Sequence, residues 1–183
     1  FAGGDSSLIE AGQLEPTLPG IPFQRGLLGL AQGMPDSAIV HFQAAILLAP
    51  TNALYHLNLG VARLTARQNL AAIPDLRRAV ALNDEMTTGH ILLGQALVQA
   101  DSLTAAESEY RRALELEPGS AKALRGLGYC TIRRSAYAEA AKHYKAATEA
   151  DPANADGWAG LGNAQLGLKN WNGAEASFKK AQA

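Results

Sequence analysis

The sequence predicts an all-α protein that is built from repeated pairs of helices. Its 183 residues include 36 alanines and 26 leucines, a composition that favours helices over strands. Glycines recur at intervals of 34 residues, each directly after a leucine, at Gly60, Gly94, Gly128 and Gly162. Alanines, large apolar residues and prolines keep the same interval, which indicates a repeat array.

Each repeat unit is predicted to be a helix, a turn and a second helix. In the third unit the glycine is followed by Ala106, Tyr110 and Ala113, and equivalent small and large residues follow the other glycines. Small residues let two helices approach closely, and the large residue fills the space that remains. Projecting back one interval from Gly60 gives a further register at Gly26, so the array contains about five units.

The repeat also sets the predicted domain organisation. Residues 1–18 match no repeat and form an N-terminal arm, whereas residues 19–183 form the array. Its units are predicted at residues 19–52, 53–86, 87–120, 121–154 and 155–183. Polar residues that can accept hydrogen bonds from free backbone N–H groups mark the predicted helix starts: Asn52, Ser102, Ser120, Asn154 and Asn170.

The combined pattern resembles the tetratricopeptide repeat, in which an aromatic residue precedes Leu-Gly and is followed by Ala, an aromatic residue and proline. The clearest copy runs from Trp158 through Gly162 to Phe178, and the resemblance covers residues 19–183. His56 and His90 stand where the motif prefers Trp or Leu. The resemblance implies a right-handed superhelical solenoid, with first helices lining a concave groove and second helices on the convex back.

Composition excludes several classes of function. The formal net charge of -1 argues against a general nucleic-acid binder, which needs a basic face. No apolar stretch approaches the roughly 20 residues that span a bilayer, so we expect no membrane span. The single cysteine, Cys130, excludes an internal disulfide and a thiolate zinc site. His56 and His90 lack a third ligand and no catalytic constellation occurs, so we expect no metal, no cofactor and no enzyme in this chain alone.

The concave groove that the resemblance implies is the candidate binding surface. Lys122, Arg125, Tyr129 and Arg133 form a basic cluster on one first helix, and arginine binds carboxylates through two parallel hydrogen bonds. Amide side chains on the first helices could hydrogen-bond the backbone of an extended peptide: Asn58, Gln95, Gln99 and Asn163. The alternative interpretation of each residue is a solvated polar face.

Charge is unevenly distributed along the chain. The arm and residues 87–120 each carry -3, whereas residues 121–154 carry +3. Solubility and pairing between neighbouring repeats would explain this swing without any partner. The arm combines its acidic residues with Leu8, Ile9 and Leu14, more apolar side chains than a free tail usually has.

Three functional hypotheses follow. The leading one is a non-catalytic scaffold that binds an extended or helical segment of another protein, such as an acidic peptide, along the groove. The second is a structural subunit that self-assembles head to tail into a filament or oligomer, its arm binding the groove or open end of the next copy. The third is the targeting module of a longer enzyme. The chain starts at Phe1 without a signal peptide, so we expect a processed or excerpted product whose localisation stays open.

Overall fold

The fold consists of short α-helices that follow one another along the chain. The computed structural model describes residues 18–182, so the predicted arm residues Leu8, Ile9 and Leu14 lie outside the described part. Residues 18–182 contain ten helices and no strand, which confirms the predicted all-α helical repeat fold. The helices are α1 (Gly20–Ala31), α2 (Pro35–Leu48), α3 (Ala53–Thr65), α4 (Asn69–Leu82), α5 (Thr87–Gln99), α6 (Leu103–Leu116), α7 (Ala121–Arg133), α8 (Tyr137–Ala150), α9 (Ala155–Gly167) and α10 (Trp171–Ala181).

The helices divide into two compact units, each larger than a single repeat: the first unit ends at Leu92 and the second starts at Leu93. In the first unit α2 packs against α1 and α3, and α3 packs against α4. The buried core of this unit includes Phe42 and Leu59. Phe23 extends the core, since its ring stacks on Tyr55 with the ring centres 4.6 Å apart.

In the second unit α7 packs against α6 and α8, and α9 packs against α7, α8 and α10. One core cluster of this unit contains Ala140, Tyr144, Leu161 and Ala164, with Trp158 partly buried against them. A first helix such as α9 is therefore held both by its own repeat and by the preceding one.

Glycines lie where the helices approach most closely, as the repeat register predicts. A Cβ atom added to Gly128 would lie 2.6 Å from the Tyr144 ring, and one added to Gly60 would lie 2.5 Å from Leu76. Gly160, in the following repeat, approaches the Tyr144 ring from another helix even more closely. Because such distances are shorter than a normal contact, a larger residue would displace the ring. Tyr144 is therefore clamped between glycines of two successive repeats.

Asparagines cap the helices as predicted, whereas the two predicted serines occupy N-cap positions without making the capping hydrogen bond. The side chains that accept a hydrogen bond from a first-turn backbone N–H are those of Asn52, Asn154 and Asn170. Ser102 and Ser120 make no such bond. The Ser102 hydroxyl instead donates to the Ala100 carbonyl, and Ser120 is buried.

The turn inside each repeat contains one residue in the left-handed conformation. These residues recur at the repeat interval: Gly33 (φ 72°), Arg67 (φ 59°), Asp101 (φ 55°), Ser135 (φ 60°) and Lys169 (φ 59°). Glycine adopts this conformation without steric cost, whereas a residue with a side chain loses about 1–2 kcal/mol. Four of these five turns therefore hold a strained residue.

The two histidines that depart from the motif keep the hydrogen bond of the tryptophan they replace. Trp158 Nε1 donates to the Pro152 carbonyl at 2.8 Å. His56 Nε2 lies 3.0 Å from the Pro50 carbonyl, six residues earlier, and His90 Nε2 makes the equivalent contact at 3.1 Å. Since a carbonyl only accepts, Nε2 must carry the proton in both histidines. The ring N–H is thus the property that these positions share.

Candidate interaction surface

The predicted basic cluster lies along one side of α7. Lys122, Arg125, Tyr129 and Arg133 are three or four residues apart, the spacing that aligns side chains on a helix. The buried residues of α7 alternate with them and face the core: Ala123, Leu127, Gly128, Cys130 and Thr131. The cluster therefore faces away from the core of the second unit.

Arg133 is already engaged by two neighbours. Its Nη2 donates to Asp101 Oδ1 at 2.7 Å, and its Nη1 donates to the Tyr129 hydroxyl at 3.3 Å. The guanidinium carbon lies 5.9 Å from the centre of the Tyr129 ring, a cation–π distance. The hydrogen bonds to Tyr129 and Asp101 raise the pKa of Arg133. Because the Arg133 and Asp101 side chains stay largely exposed, a partner carboxylate can compete for this arginine.

Arg125 and Lys122 differ in accessibility. The Arg125 side chain is only 22% exposed, and its Nη1 lies 4.0 Å from Asp151 Oδ2. This Nη1 is buried and has no hydrogen-bond partner within residues 18–182. Lys122, by contrast, is exposed. Lys122 and Arg133 are therefore the two cations of the cluster that a partner can reach most easily.

The predicted amides do not all join this cluster. Asn163 is exposed on α9, which packs against α7, and it occupies the position equivalent to Tyr129. Gln95 and Gln99 are exposed on α5. Asn58 belongs to the compact unit that ends at Leu92, and its Nδ2 donates to the Leu54 carbonyl at 2.8 Å. One N–H of Asn58 is thus already used within its own helix.

The charge swing between neighbouring repeats is partly consumed by pairing between them. Asp101 and Glu107 belong to the acidic stretch 87–120, and they bind Arg133 and Arg134 of the basic stretch. This is the pairing that the sequence allowed as an explanation without a partner. It reduces the positive charge that the α7 side offers to a ligand.

Glu107 is the centre of a buried ionic cluster that the sequence did not indicate. Its side chain is 3% exposed, and its Oε2 accepts a hydrogen bond from Arg111 Nη2 at 3.0 Å. Arg134 Nη2 approaches Oε1 to 2.9 Å, which is an ion pair, although this oxygen has no well-aligned hydrogen bond. We call Glu107, Arg111 and Arg134 the Glu107 cluster. A buried carboxylate needs such cations, since desolvation alone would disfavour its charge.

A cavity of about 560 Å³ lies between α8 and α10 and reaches α9. Its lining is largely apolar and includes Trp158, Leu161, Leu168, Ala141 and Ala176. We call it the α8–α10 cavity. It opens on a different side of α9 from Asn163, because five residues separate Trp158 from Asn163 and place their side chains roughly 140° apart around the helix.

Three lysines surround the α8–α10 cavity. Lys180 Nζ lies 4.2 Å from the centre of the Trp158 ring, and Lys145 Nζ lies 3.8 Å from Glu149 Oε1. Lys142 also lines the cavity and is exposed. The surroundings are therefore positive over an apolar floor, the combination that suits an acidic ligand with apolar side chains.

Cys130 and the tyrosines of the repeat core are not poised for chemistry. Burial raises the pKa of the Cys130 thiol to about 11, with the nearby Glu107 carboxylate adding to the effect. Burial likewise raises the pKa of Tyr144 to about 12. A nucleophilic cysteine needs a lowered pKa, so these groups act through packing. Within residues 18–182 no group of three or more His, Cys, Asp or Glu is placed to hold a metal ion, and no described helix is long and apolar enough to cross a membrane.

Comparison of equivalent positions would have pointed to the cavity. Glu107 and Arg134 correspond, one repeat later, to Ala141 and Leu168. The long charged side chains of the third and fourth repeats are thus replaced by a small and an apolar residue. This substitution is visible in the sequence, but its effect on the space between helices requires their packed positions.

Comparisons with known proteins agree with the repeat. Residues 35–158 match the family model described as the tetratricopeptide repeat protein 21 C-terminal ARM domain. The sequence finds no significant match among curated proteins. The crystal structure of MamA is similar to this chain at 25% identity and a TM-score of 0.79, over 86% of this chain and 92% of that chain.

Two further solved structures share the fold at lower identity. YrrB, described as a TPR protein with an unusual peptide-binding site, is 21% identical with a TM-score of 0.79, over 95% of this chain and 90% of that chain. MamA from Desulfovibrio magneticus RS-1 is 15% identical with a TM-score of 0.83, over 90% and 93% of the two chains.

Proposed function

The chain belongs to the tetratricopeptide repeat protein 21 C-terminal ARM domain family, and on this premise we propose that it is a non-catalytic scaffold that binds a segment of another protein. The segment would lie against the α7 side that carries Lys122, Tyr129 and Arg133. Fold alone does not select a ligand, so the proposal depends on the chemistry of this side.

The observation that carries the proposal is the exposed Tyr129 between two accessible cations. Tyr129 is 41% exposed, and it lies beside Arg133 rather than in the core. Tyrosine and arginine are enriched where proteins bind each other. An acidic segment would exchange the Asp101 carboxylate on Arg133 for its own and place an apolar group on the ring. YrrB, which has the same fold, is described with a peptide-binding site, and this supports the same class of ligand here.

The test uses an array of labelled acidic peptides and fluorescence anisotropy with the full chain. The double variant Arg125→Glu/Arg133→Glu should lose binding of every peptide that the unchanged chain binds. Because Arg125 is largely buried, a second variant, Lys122→Glu/Tyr129→Ala, changes only exposed side chains and should lose the same binding. Unchanged affinity in the second variant, with helicity preserved by circular dichroism, would refute the assignment to α7.

The matched control is Arg77→Glu/Arg78→Glu on α4. It makes the same change in net charge as Arg125→Glu/Arg133→Glu, at two exposed arginines that lie outside the proposed surface. Binding should survive this change. An equal loss in both pairs of charge reversals would mean that the peptides respond only to the net charge of the chain.

Self-assembly is a second candidate function, and exposed apolar residues favour it. Trp171 on α10 is 63% exposed and Leu166 on α9 is 39% exposed, which leaves apolar surface available for another copy. Light scattering over a concentration series, with and without residues 1–18, tests this candidate. Growth to large species only when the arm is present is the expected result, and a monomer at all concentrations would exclude it.

A further inference from the structure

The α8–α10 cavity is a second surface, separate from the α7 cluster, and its shape follows from the sequence of the last two repeats. Apart from Gly173, the smallest residues in its lining are Ala141 and Ala176. A volume of about 560 Å³ lies within the range of roughly 300–1,000 Å³ that is typical of ligand sites. The cavity can therefore accept apolar side chains of a ligand.

The charge around the cavity specifies what kind of ligand it suits. Lys142, Lys145 and Lys180 face only one lining carboxylate, that of Glu149. Lys145 is paired with Glu149, whereas Lys180 lies over the Trp158 ring. Lys142 and Lys180 therefore remain available to carboxylates of a ligand whose apolar side chains enter between them.

The chain itself contains a segment of this chemistry. Residues 1–18 carry Asp5, Glu10 and Glu15 and no lysine or arginine. Leu8 and Ile9 lie between Asp5 and Glu10, so two apolar side chains are flanked by carboxylates on both sides. This order of charged and apolar residues matches an apolar cavity with lysines around it.

We propose that the α8–α10 cavity is the binding site of the arm, with Leu8 and Ile9 entering the cavity and Asp5 and Glu10 facing Lys142 and Lys180. The proposal does not depend on which copy supplies the arm. It also does not depend on the α7 cluster, because the cavity opens on another side of α9.

The experiment removes the arm's contacts in the full chain and then supplies the arm separately. The recipient is the full chain with Leu8→Asp and Ile9→Asp, and the probe is a labelled synthetic peptide of residues 1–18. Fluorescence anisotropy should show saturable binding of the probe. The unchanged full chain should bind the probe more weakly, because its own arm competes for the cavity.

Two variants of the recipient locate the site. Lys142→Glu/Lys180→Glu should weaken binding of the probe by about tenfold, since it reverses two exposed charges beside the cavity. Ala141→Glu/Leu168→Arg introduces the residue types of the Glu107 cluster at the equivalent positions and fills the cavity, so binding should be lost. The matched control, Arg77→Glu/Arg78→Glu on α4, makes the same change in net charge as Lys142→Glu/Lys180→Glu at two exposed arginines and should bind the probe as the recipient does.

Three results would overturn the proposal. The first is equal affinity in the recipient and in Lys142→Glu/Lys180→Glu. The second is loss of binding when the recipient carries Lys122→Glu instead, which would place the arm on the α7 cluster. The third is equal binding of a probe in which Leu8, Ile9 and Leu14 are replaced by serine, which would show attraction by charge without use of the cavity.

Discussion

The Glu107 cluster and the α8–α10 cavity occupy equivalent places in two successive pairs of repeats, and they differ in a few side chains. Between the third and fourth repeats Glu107 and Arg134 form an ion pair, whereas one repeat later Ala141 and Leu168 line the cavity. The third residue of the Glu107 cluster, Arg111, corresponds to Lys145, so both places have a cation at this position. The backbone of the repeat therefore tolerates either a buried ionic cluster or a cavity at the same position.

Removing both cations from the Glu107 cluster should have the largest effect on stability. The double variant Arg111→Met/Arg134→Leu leaves the Glu107 carboxylate buried without a partner, which should lower the free energy of unfolding by about 3–5 kcal/mol. Urea unfolding followed by circular dichroism measures this loss. Lys145→Met, at the equivalent position beside the cavity, should change stability by less than about 0.5 kcal/mol because Lys145 is exposed.

A triple variant separates charge from packing in this experiment. Adding Glu107→Gln to the two arginine replacements removes the buried charge and should recover much of the lost stability. No recovery would mean that the arginine stems, rather than their charges, hold the third and fourth repeats together.

Both places have a glycine in close contact with a tyrosine ring, and replacing either glycine should reduce stability by a similar amount. Gly126 faces the Tyr110 ring and Gly160 faces the Tyr144 ring, each closer than a Cβ atom allows. Gly126→Ala and Gly160→Ala should each lower the free energy of unfolding by about 1–3 kcal/mol through overpacking. Gly119→Ala is the control, because nothing lies within 4 Å of a Cβ atom there. A large difference between the first two would show that the cavity relieves the strain in one repeat.

Alkaline pH should weaken the packing of α8, the helix that lines one side of the α8–α10 cavity. Burial raises the pKa of Tyr144 to about 12 from an ordinary value of 10.0, so the folded state favours the neutral phenol. Stability due to this group is therefore complete below pH 10 and is lost as the pH rises through about 12. Tyr144→Phe should make the decline of stability in this range less steep. Parallel curves for the two proteins throughout that range would contradict the shifted pKa.

The smallest effects are expected in the turns that precede α6 and α10. Lys169→Gly should raise the free energy of unfolding by about 0.5 kcal/mol, since glycine relieves the left-handed strain but loses more entropy on folding. Asp101→Gly should gain little, because it also removes the ion pair with Arg133. Thermal unfolding of both variants tests the difference. A larger gain in Asp101→Gly would mean that its ion pair contributes nothing.

The repeat fold was predictable from the sequence because one residue type recurs at each close approach. Gly128 and Tyr144 lie in fixed positions of the motif, and they meet in the structure as predicted. The basic cluster on α7 was also predictable as a set of side chains on one side of a helix. Its availability was not, because the pairing of Arg133 with Asp101 links residues 32 positions apart in the chain. The cavity was missed for a similar reason, since it depends on which side chains are short in three helices at once.

The clamped tyrosines have a consequence for how such an array can be rearranged. Tyr110 and Tyr144 each require a glycine in the first helix of the following repeat, at Gly126 and Gly160. Leu76 is followed at the same distance by Leu92, and Phe42 by Asn58. A second helix that carries tyrosine at this position would therefore clash with a following first helix that carries leucine or asparagine in place of the glycine.

The segment that can be duplicated or exchanged without a clash is consequently not the helix–turn–helix motif itself. It runs from the second helix of one repeat through the first helix of the next, so that each tyrosine is transferred together with the glycine that faces its ring. Grafting residues 103–133 as one piece preserves this match, whereas a tandem copy of residues 87–120 places Leu92 sixteen positions after Tyr110 and breaks it. The side chains that pack between neighbouring repeats therefore restrict the order in which the repeats can follow one another.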